Sequence, residues 1–536
     1  MDKFKSEKLL ENLKDGAIAG RVSRRQFMEG AAAAGLTAAA ASTLWSTKVE
    51  AATPQWGGSY HIGMHDGNTT DSLDPGTTEA VYMIQLNHTT RNYLTEQKAN
   101  GDIVGEIAES WDATPDAKTW SFKVRKGVEF HNGKTVTPQD VVDSLNYHRG
   151  DDSKSAAKSQ LAAIEDIKVD GDNVVLSAAS GFADMPYMLT DYHLVILPSN
   201  GDGTIDWQSG IGTGAYKIES HEPGVSTQMV KHENFFKSDA GYFDDVQYTV
   251  INDPNARGTA LKTGAVDAVT TLDLKTVGLM GRDPNIEIDD TASGSHVTIP
   301  MFCDVAPFDN LDVRLALKYG FPREDAVQKI MKGYATIGND SPIGPSIPYY
   351  HEMEQRQYDP DKARYHLKQA GVEGISVDLS AADSAFPGAV DTATLFQEAA
   401  RQSGIEINVI REPNDGYWSN VWLVKPFVFV QWGQRPTPDV MFSLAYKKGA
   451  DWNESHWENA RFNELLDAAK GELDQAKRTE MYAEMQRLCR DDGGTIVPWF
   501  TNRVSGRQKA IQHPEIISGI WELDGARSAE RWWRVS

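Results

Sequence analysis

In QWGQRPTPD, residues 431–439, Arg435 stands three positions after Trp432 and directly before Pro436 and Pro438. A guanidinium stays ionised at any physiological pH and presents a planar fork of donors. That fork meets a carboxylate or phosphate through two parallel hydrogen bonds. Trp432 adds a flat apolar face on which a ligand can stack. The pair predicts an anion site in which Arg435 holds a ligand carboxylate. The competing reading is an internal ion pair that shapes the loop, with Asp439 as the partner.

Two other stretches carry groups of the right type. GADWNESHWENARFNELL holds Trp452, Asn453 and Trp457. Asn453 offers two donors and an acceptor, and one of the two tryptophans is expected in the core. YHIGMHD places His61, His65 and Asp66 close together, and on a strand His61 and His65 face one side. That spacing admits a metal, but lone surface or pocket histidines are commoner; His65 and Asp66 also follow a strand, where loops of open α/β sheets carry ligand contacts. Arg411 and Glu412, after EINVI, are weaker candidates. The chain has no G-x-S-x-G elbow, H-E-x-x-H helix or G-x-x-x-x-G-K-[ST] loop. Their absence lowers the expectation of an enzyme, and we expect no catalytic residues, no metal and no cofactor. The two cysteines, Cys303 and Cys489, read as buried free thiols, although one bridge between them is open.

The elements that must position these groups alternate in type, which predicts an α/β design. PFVFV before Trp432 reads as a buried strand. TWSFKVR (119–125) alternates with period two and reads as a half-buried strand. IEDIKVDGDNVVLSA carries a D-G-D-N turn between two β-rich runs, a hairpin signal. In YDPDKARYHLKQAG, Asp359 can cap a helix, Pro360 suits its first position and Gly371 its stop. AKRTEMYAEMQRLCRDDGG puts Tyr482, Met485 and Leu488/Cys489 on one helical face. At 536 residues the chain is expected to form two or three domains.

The N-terminus reads as an address. Arg24 and Arg25 precede the Ala/Gly-rich run EGAAAAGLTAAAASTLW, and Val49-Glu50-Ala51 fits a cleavage site. The order resembles a twin-arginine export signal over residues 1–51, cleaved near Ala51. The formal charge of −23 argues against nucleic acid and anionic membranes as partners.

Six segments in fixed order carry a family resemblance: DSLDPG (71–76), the block 99–148 from ANGDIVGEIAESW to NYH, GTGAYKIESHEPG (212–224), ALKTGAVDAV (260–269), PFDNLDVRLALKYGFPREDAVQKIMKGYAT (307–336) and YDPDKARYHLKQAG (358–371). Together they resemble the extracytoplasmic solute-binding proteins of ABC importers, in the peptide/opine/nickel family (family 5). The resemblance implies a bilobal periplasmic-binding-protein fold, type II-like, with the ligand cleft between lobes. A first α/β lobe would span 52–300, with an extra lobe inserted at about 87–209. A second would span 301–503, and 504–536 would return to the first. The chain would cross between the α/β lobes near 296–302 and 497–505.

The resemblance also implies a periplasmic monomer that captures a small peptide or opine-like amino-acid derivative and delivers it to the permease subunits. Other family solutes are an oligosaccharide, a glutathione-like conjugate, haem or a nickel chelate. Peptide-binding relatives carry W-x-x-D where this chain has Trp432-Gly433-Gln434-Arg435. Their Asp pairs with the ligand's α-amino group; an arginine here reverses the local charge. The expected ligand contacts are thus Arg435, Trp432, Asp439, Trp452 and Asn453, with His65 and Asp66 from the opposite wall.

Overall fold

The computed structural model describes residues 54–150 and 152–535, together with 24–34 and positions 13, 36, 37 and 41. The expected cleavage site at 49–51 lies outside the described residues. Of the expected export signal, the helix Arg24–Ala33 is described.

A first sheet has seven strands, in the order Ile286–Thr291, Arg503–Gln508, Ala268–Val269, Ser59–Met64, Asp245–Val250, Ser226–Lys231 and Tyr216–Glu222. Ser59–Met64 runs parallel to both neighbours, and the other pairs are antiparallel. Successive residues of a strand face opposite sides. Tyr60, Ile62 and Met64 therefore enter one core with Phe243 and Trp532. Val269 joins Leu261, Val277 and Val504 in another.

Between the strands Ser59–Met64 and Tyr216–Glu222 the chain builds a separate four-stranded antiparallel sheet. Its order is Ala108–Ala113, Thr119–Val124, Asn173–Ala178, Ile164–Asp170. The period-two reading of TWSFKVR is met: Trp120, Phe122 and Val124 are buried. The D-G-D-N hairpin forms where expected, with Gly171 at φ +60° in its turn. The helix Pro138–Tyr147 covers this sheet and starts on a capping box between Thr137 and Asp140.

A third body is built on His296–Pro300, which pairs with Val430–Trp432, Thr495–Ile496 and Trp499–Thr501. Ala335–Ile337 adds to Trp499–Thr501. The parallel pair Ile375–Ala381 and Ile405–Arg411 extends it, because Ser380 bonds in both directions with the run before Val430. PFVFV is buried as expected. The helix Pro360–Gln369 is capped by Asp359, whose carboxylate accepts from the Lys362 amide at 2.9 Å. It stops where Gly371 adopts φ +80°. Tyr482, Met485 and Cys489 of the helix Gln475–Asp491 are buried in this body's core.

The chain passes between the first and third bodies twice, side by side. Ile286–Thr291 pairs with Arg503–Gln508 in the first sheet, and His296 pairs with Phe500 in the third. Between these, Thr501 N–H donates to Ser295 O at 2.7 Å, and Ser293 Oγ donates to Thr501 O at 2.7 Å. The inserted lobe is pinned to the first body by ions. Lys237 Nζ lies 2.7, 2.8 and 2.8 Å from carboxylate oxygens of Glu96, Glu106 and Glu530, and Arg527 and Arg531 close the network.

Candidate functional site

Trp432 ends its strand opposite His296, beside the double crossing. The chain then leaves the sheet as a loop, and Gln434 anchors it: its side-chain oxygen accepts from the Gly294 amide at 2.7 Å. Arg435 follows, half-buried, with its guanidinium carbon 5.7 Å from the Trp432 ring centroid. Its Nη1 donates only to the carbonyls of Gly433 and Gln434, each at 3.3 Å. Among the described residues no carboxylate pairs with it. Burial draws its pKa down, and the ionisable group whose field it feels is Tyr192, in the inserted lobe. Tyr192 packs edge-on against Trp521 at 5.0 Å, a residue of the C-terminal return to the first body. Burial pushes the Tyr192 phenol up to about 12, with Arg435 acting in the opposite direction. Arg435 therefore sits where all three bodies approach.

On the other side of Trp432 lies an aromatic cluster that the sequence reading found only in part. Trp422 is 6.3 Å from Trp432 and 5.7 Å from Trp452, and Trp432 and Trp452 are 5.9 Å apart. Trp418 packs edge-on against Trp422 at 5.8 Å. Trp418 and Trp452 remain 45% and 40% exposed. Beneath them is the buried Glu454. Its two oxygens accept from Trp422 Nε1 at 3.0 Å and Trp432 Nε1 at 3.1 Å, and Thr298 Oγ1 donates at 2.7 Å. Burial pushes the Glu454 carboxyl up despite these donors. The spacing of Trp418, Trp422 and Trp432 was the available signal; Glu454 has none in one dimension, since its partners lie 22, 32 and 156 residues away.

The remaining candidates occupy different places. Trp452 joins the cluster, whereas Trp457 is core and donates to Asp492 at 3.0 Å. Asn453 is turned inward: its amide donates to Trp457 O at 2.9 Å and to Lys447 O at 3.4 Å. It borders a separate cavity of about 770 Å³ with Asp304, Arg314 and His456. Asp439 is buried, and among the described residues it forms no ion pair with Arg435; burial pushes its carboxyl up to about 7. Glu412 pairs with Lys425.

On the first body, His65 Nδ1 lies 2.8 Å from Thr270 Oγ1, and burial draws its pKa down while Glu522 opposes. Glu522 pairs with Arg503 at 2.8 Å, and Arg503 lies 6.0 Å from the Trp521 ring. His65 thus belongs to the wall that leads to Trp521 and Tyr192. Asp66 is committed to the fold: its carboxylate accepts from the Val81 amide at 2.8 Å, supplying the helix Val81–Thr90 with a cap that Ala80 lacks. Among the described residues the one group of three carboxylates, histidines or cysteines near enough to share a metal is Glu96, Glu106 and Glu530. Lys237 already fills that space.

The comparisons agree with this architecture. The model of the bacterial extracellular solute-binding proteins, family 5 Middle, matches residues 102–454. Heme-binding protein A of Haemophilus influenzae is 23% identical over 459 residues, covering 76% of this chain and 80% of that protein. The oligopeptide-binding protein AppA of Bacillus subtilis is 24% identical over 536 residues, covering 91% and 94%. The structure of HbpA2 from Haemophilus parasuis superposes with a TM-score of 0.77 at 18% identity, covering 87% of this chain and 99% of that one. With the family model spanning well over half its length, the chain belongs to the family 5 bacterial extracellular solute-binding proteins.

Proposed function

We propose that this protein captures a small ligand that carries a carboxylate, a short peptide or a peptide- or opine-like amino-acid derivative, and hands it unaltered to the permease of an ABC importer. The observation that carries the reading is Arg435: a half-buried cation on the face of Trp432, between lobes, with no carboxylate of the described chain paired to it. A buried charge needs a counter-charge, and here a ligand supplies it. Trp452 lines the approach, Trp432 is buried behind Arg435, and His65 contributes from the opposite wall. Asp66 and Asn453, with side chains engaged elsewhere, and Asp439, which is buried, are left out of the contact set. In this reading the protein is exported by its twin-arginine signal, is cleaved near Ala51 and works as a periplasmic monomer with lobes at 52–300 (insert 87–209) and 301–503.

One observation favours a second reading, a flat ligand such as haem. Trp418 and Trp452 expose two large indole faces beside the arginine's tryptophan, and a relative is named for haem binding.

A thermal-shift screen tests both. Wild type and Arg435→Ala are compared against di- and tripeptides, opines, oligosaccharides, haem and nickel chelates. A ligand that binds only the folded state raises the melting temperature by mass action. A carboxylate ligand that stabilises wild type and not the variant supports the reading. Equal stabilisation of both removes Arg435 from the site.

A further inference from the structure

Trp418, Trp422 and Trp452 form an open slot. Trp422 is half-buried and meets both of the others: Trp418 at 5.8 Å with the planes at 85°, and Trp452 at 5.7 Å with the planes at 59°. Among the described residues Trp418 and Trp452 have no ring contact with each other. One ring is thus the floor and two are walls, and no pair is stacked. Walls that are 45% and 40% exposed and unstacked offer part of their faces to a ligand.

The floor is fixed and electron-rich. Trp422 Nε1 donates to Glu454 Oε2 at 3.0 Å, while Trp432 Nε1 and Thr298 Oγ1 donate to its Oε1. An indole that donates to a carboxylate is polarised toward its ring, which deepens the negative potential over its face. The charges nearby act in the same sense. Lys425, Lys447 and Lys448 are held by Glu412, Asp467 and Glu458. Asp451, beside Trp452, and Asp415, in the turn before Trp418, are exposed and have no ion pair among the described residues.

Such a slot attracts a cation, and its chemistry selects which kind. A primary ammonium carries three N–H donors that need acceptors. Beneath the slot the one carboxylate has both oxygens engaged, and on the stretch after Trp432 the one acid, Asp439, is buried. A quaternary ammonium has no N–H to satisfy, sheds its water easily and is drawn to indole faces.

We propose that the slot receives a quaternary ammonium group of the ligand, so that the solute is a zwitterion with its carboxylate on Arg435. The inference rests on the binding reading, in which Arg435 holds that carboxylate. Both anchors border the buried Trp432. The guanidinium carbon lies 5.7 Å from its ring centroid, and Trp452 and Trp422 lie 5.9 and 6.3 Å from it. The two charges of the ligand are therefore joined by a short chain and not by a single carbon.

Three carboxylates of one length test this: γ-trimethylaminobutyrate, γ-aminobutyrate and γ-phenylbutyrate, each titrated calorimetrically into the full chain. Expected is binding of the trimethylated compound tighter than that of γ-aminobutyrate by roughly 10-fold or more, with a change in tryptophan emission. Trp418→Leu and Trp452→Leu each weaken the trimethylated compound by on the order of 10-fold and shrink that preference. Thermal melting checks that the variants are folded, and the preference of the wild type stands as a test without them. Equal binding of the trimethylated and primary amines, tightest binding of γ-phenylbutyrate, or no binding of the trimethylated compound at millimolar concentration overturns the cation slot. If Arg435→Ala weakens every compound that binds, the binding reading survives that outcome. A trimethylated compound held equally by wild type and Arg435→Ala removes the carboxylate anchor, and the zwitterion with it.

Discussion

Trp432 donates its indole N–H to Glu454 at 3.1 Å, and that bond ties the strand before the Arg435 loop to the segment after Trp452. The carboxylate also holds Trp422 and Thr298, so one buried side chain sets the spacing of the aromatic cluster.

Glu454→Leu orphans three donors, of which Thr298 and Trp432 are buried and Trp422 is half-buried. The expected cost is about 3 kcal/mol, read by urea unfolding at mildly acid pH, with a shift in tryptophan emission. Because burial raises the Glu454 carboxyl in the folded protein, its contribution is greatest below the ordinary carboxylate range. It declines as pH rises through the raised value. The stability gap between wild type and the variant therefore narrows toward alkaline pH; a gap that widens refutes the assignment.

Arg435 is expected to behave as an anchor and not as a structural brace. Arg435→Lys keeps the charge and loses the planar fork, so affinity for a carboxylate ligand falls by roughly 10-fold to 100-fold while the melting temperature of the free protein holds. Arg435→Asp restores the acid of the W-x-x-D pattern and is expected to abolish carboxylate binding. Titration calorimetry with the best ligand of the screen decides.

Lys237→Met leaves three carboxylates without their shared ammonium and is expected to cost about 3–5 kcal/mol at neutral pH. Burial alone pushes the Glu96 carboxyl up, but Arg527, Lys237 and Arg531 overrule it and hold it well below its usual value. For a depressed acid the stabilisation is present above the ordinary carboxylate range and lost as pH falls through the depressed value. The penalty of the variant should shrink in acid, measured by urea unfolding at neutral pH and near pH 3.

Cys303 and Cys489 are both free, and Cys489 is buried. Burial pushes the Cys303 thiol up to about 11. Neither thiolate forms readily, so a thiol reagent should label the native protein slowly and the unfolded protein fully. Reductant should leave the melting temperature unchanged. A melting temperature that falls in reductant means that the thiols are joined in solution.

Local signals in the sequence carried further than long-range ones. TWSFKVR, the D-G-D-N hairpin and the Asp359 cap each rest on neighbours within a few residues, and each forms as read. Arg435 was legible as an ion in need of a partner because its flanking Trp and Pro residues are local too. The place of Asp439 was not legible: the ionisable groups whose fields it feels include Asp184 and Arg478, 255 positions before and 39 after it. The same holds for Asp66, where the spent carboxylate follows from a helix start at Val81, and for Asn453, whose loop turns its amide inward.

The first sheet has a consequence for the order of synthesis. Its strand Arg503–Gln508 lies between Ile286–Thr291 and Ala268–Val269, and Trp533–Arg534 closes against Ile511–Gln512 at the chain's end. A ribosome delivers Arg503–Gln508 after the inserted sheet and after the third body's strands up to Trp499–Thr501. The inserted sheet can form while translation continues, but the first sheet waits with a gap between Ile286–Thr291 and Ala268–Val269 until Arg503–Gln508 arrives. A chain cut before Arg503 cannot fill that gap, so the first lobe forms its sheet only after the second has been made.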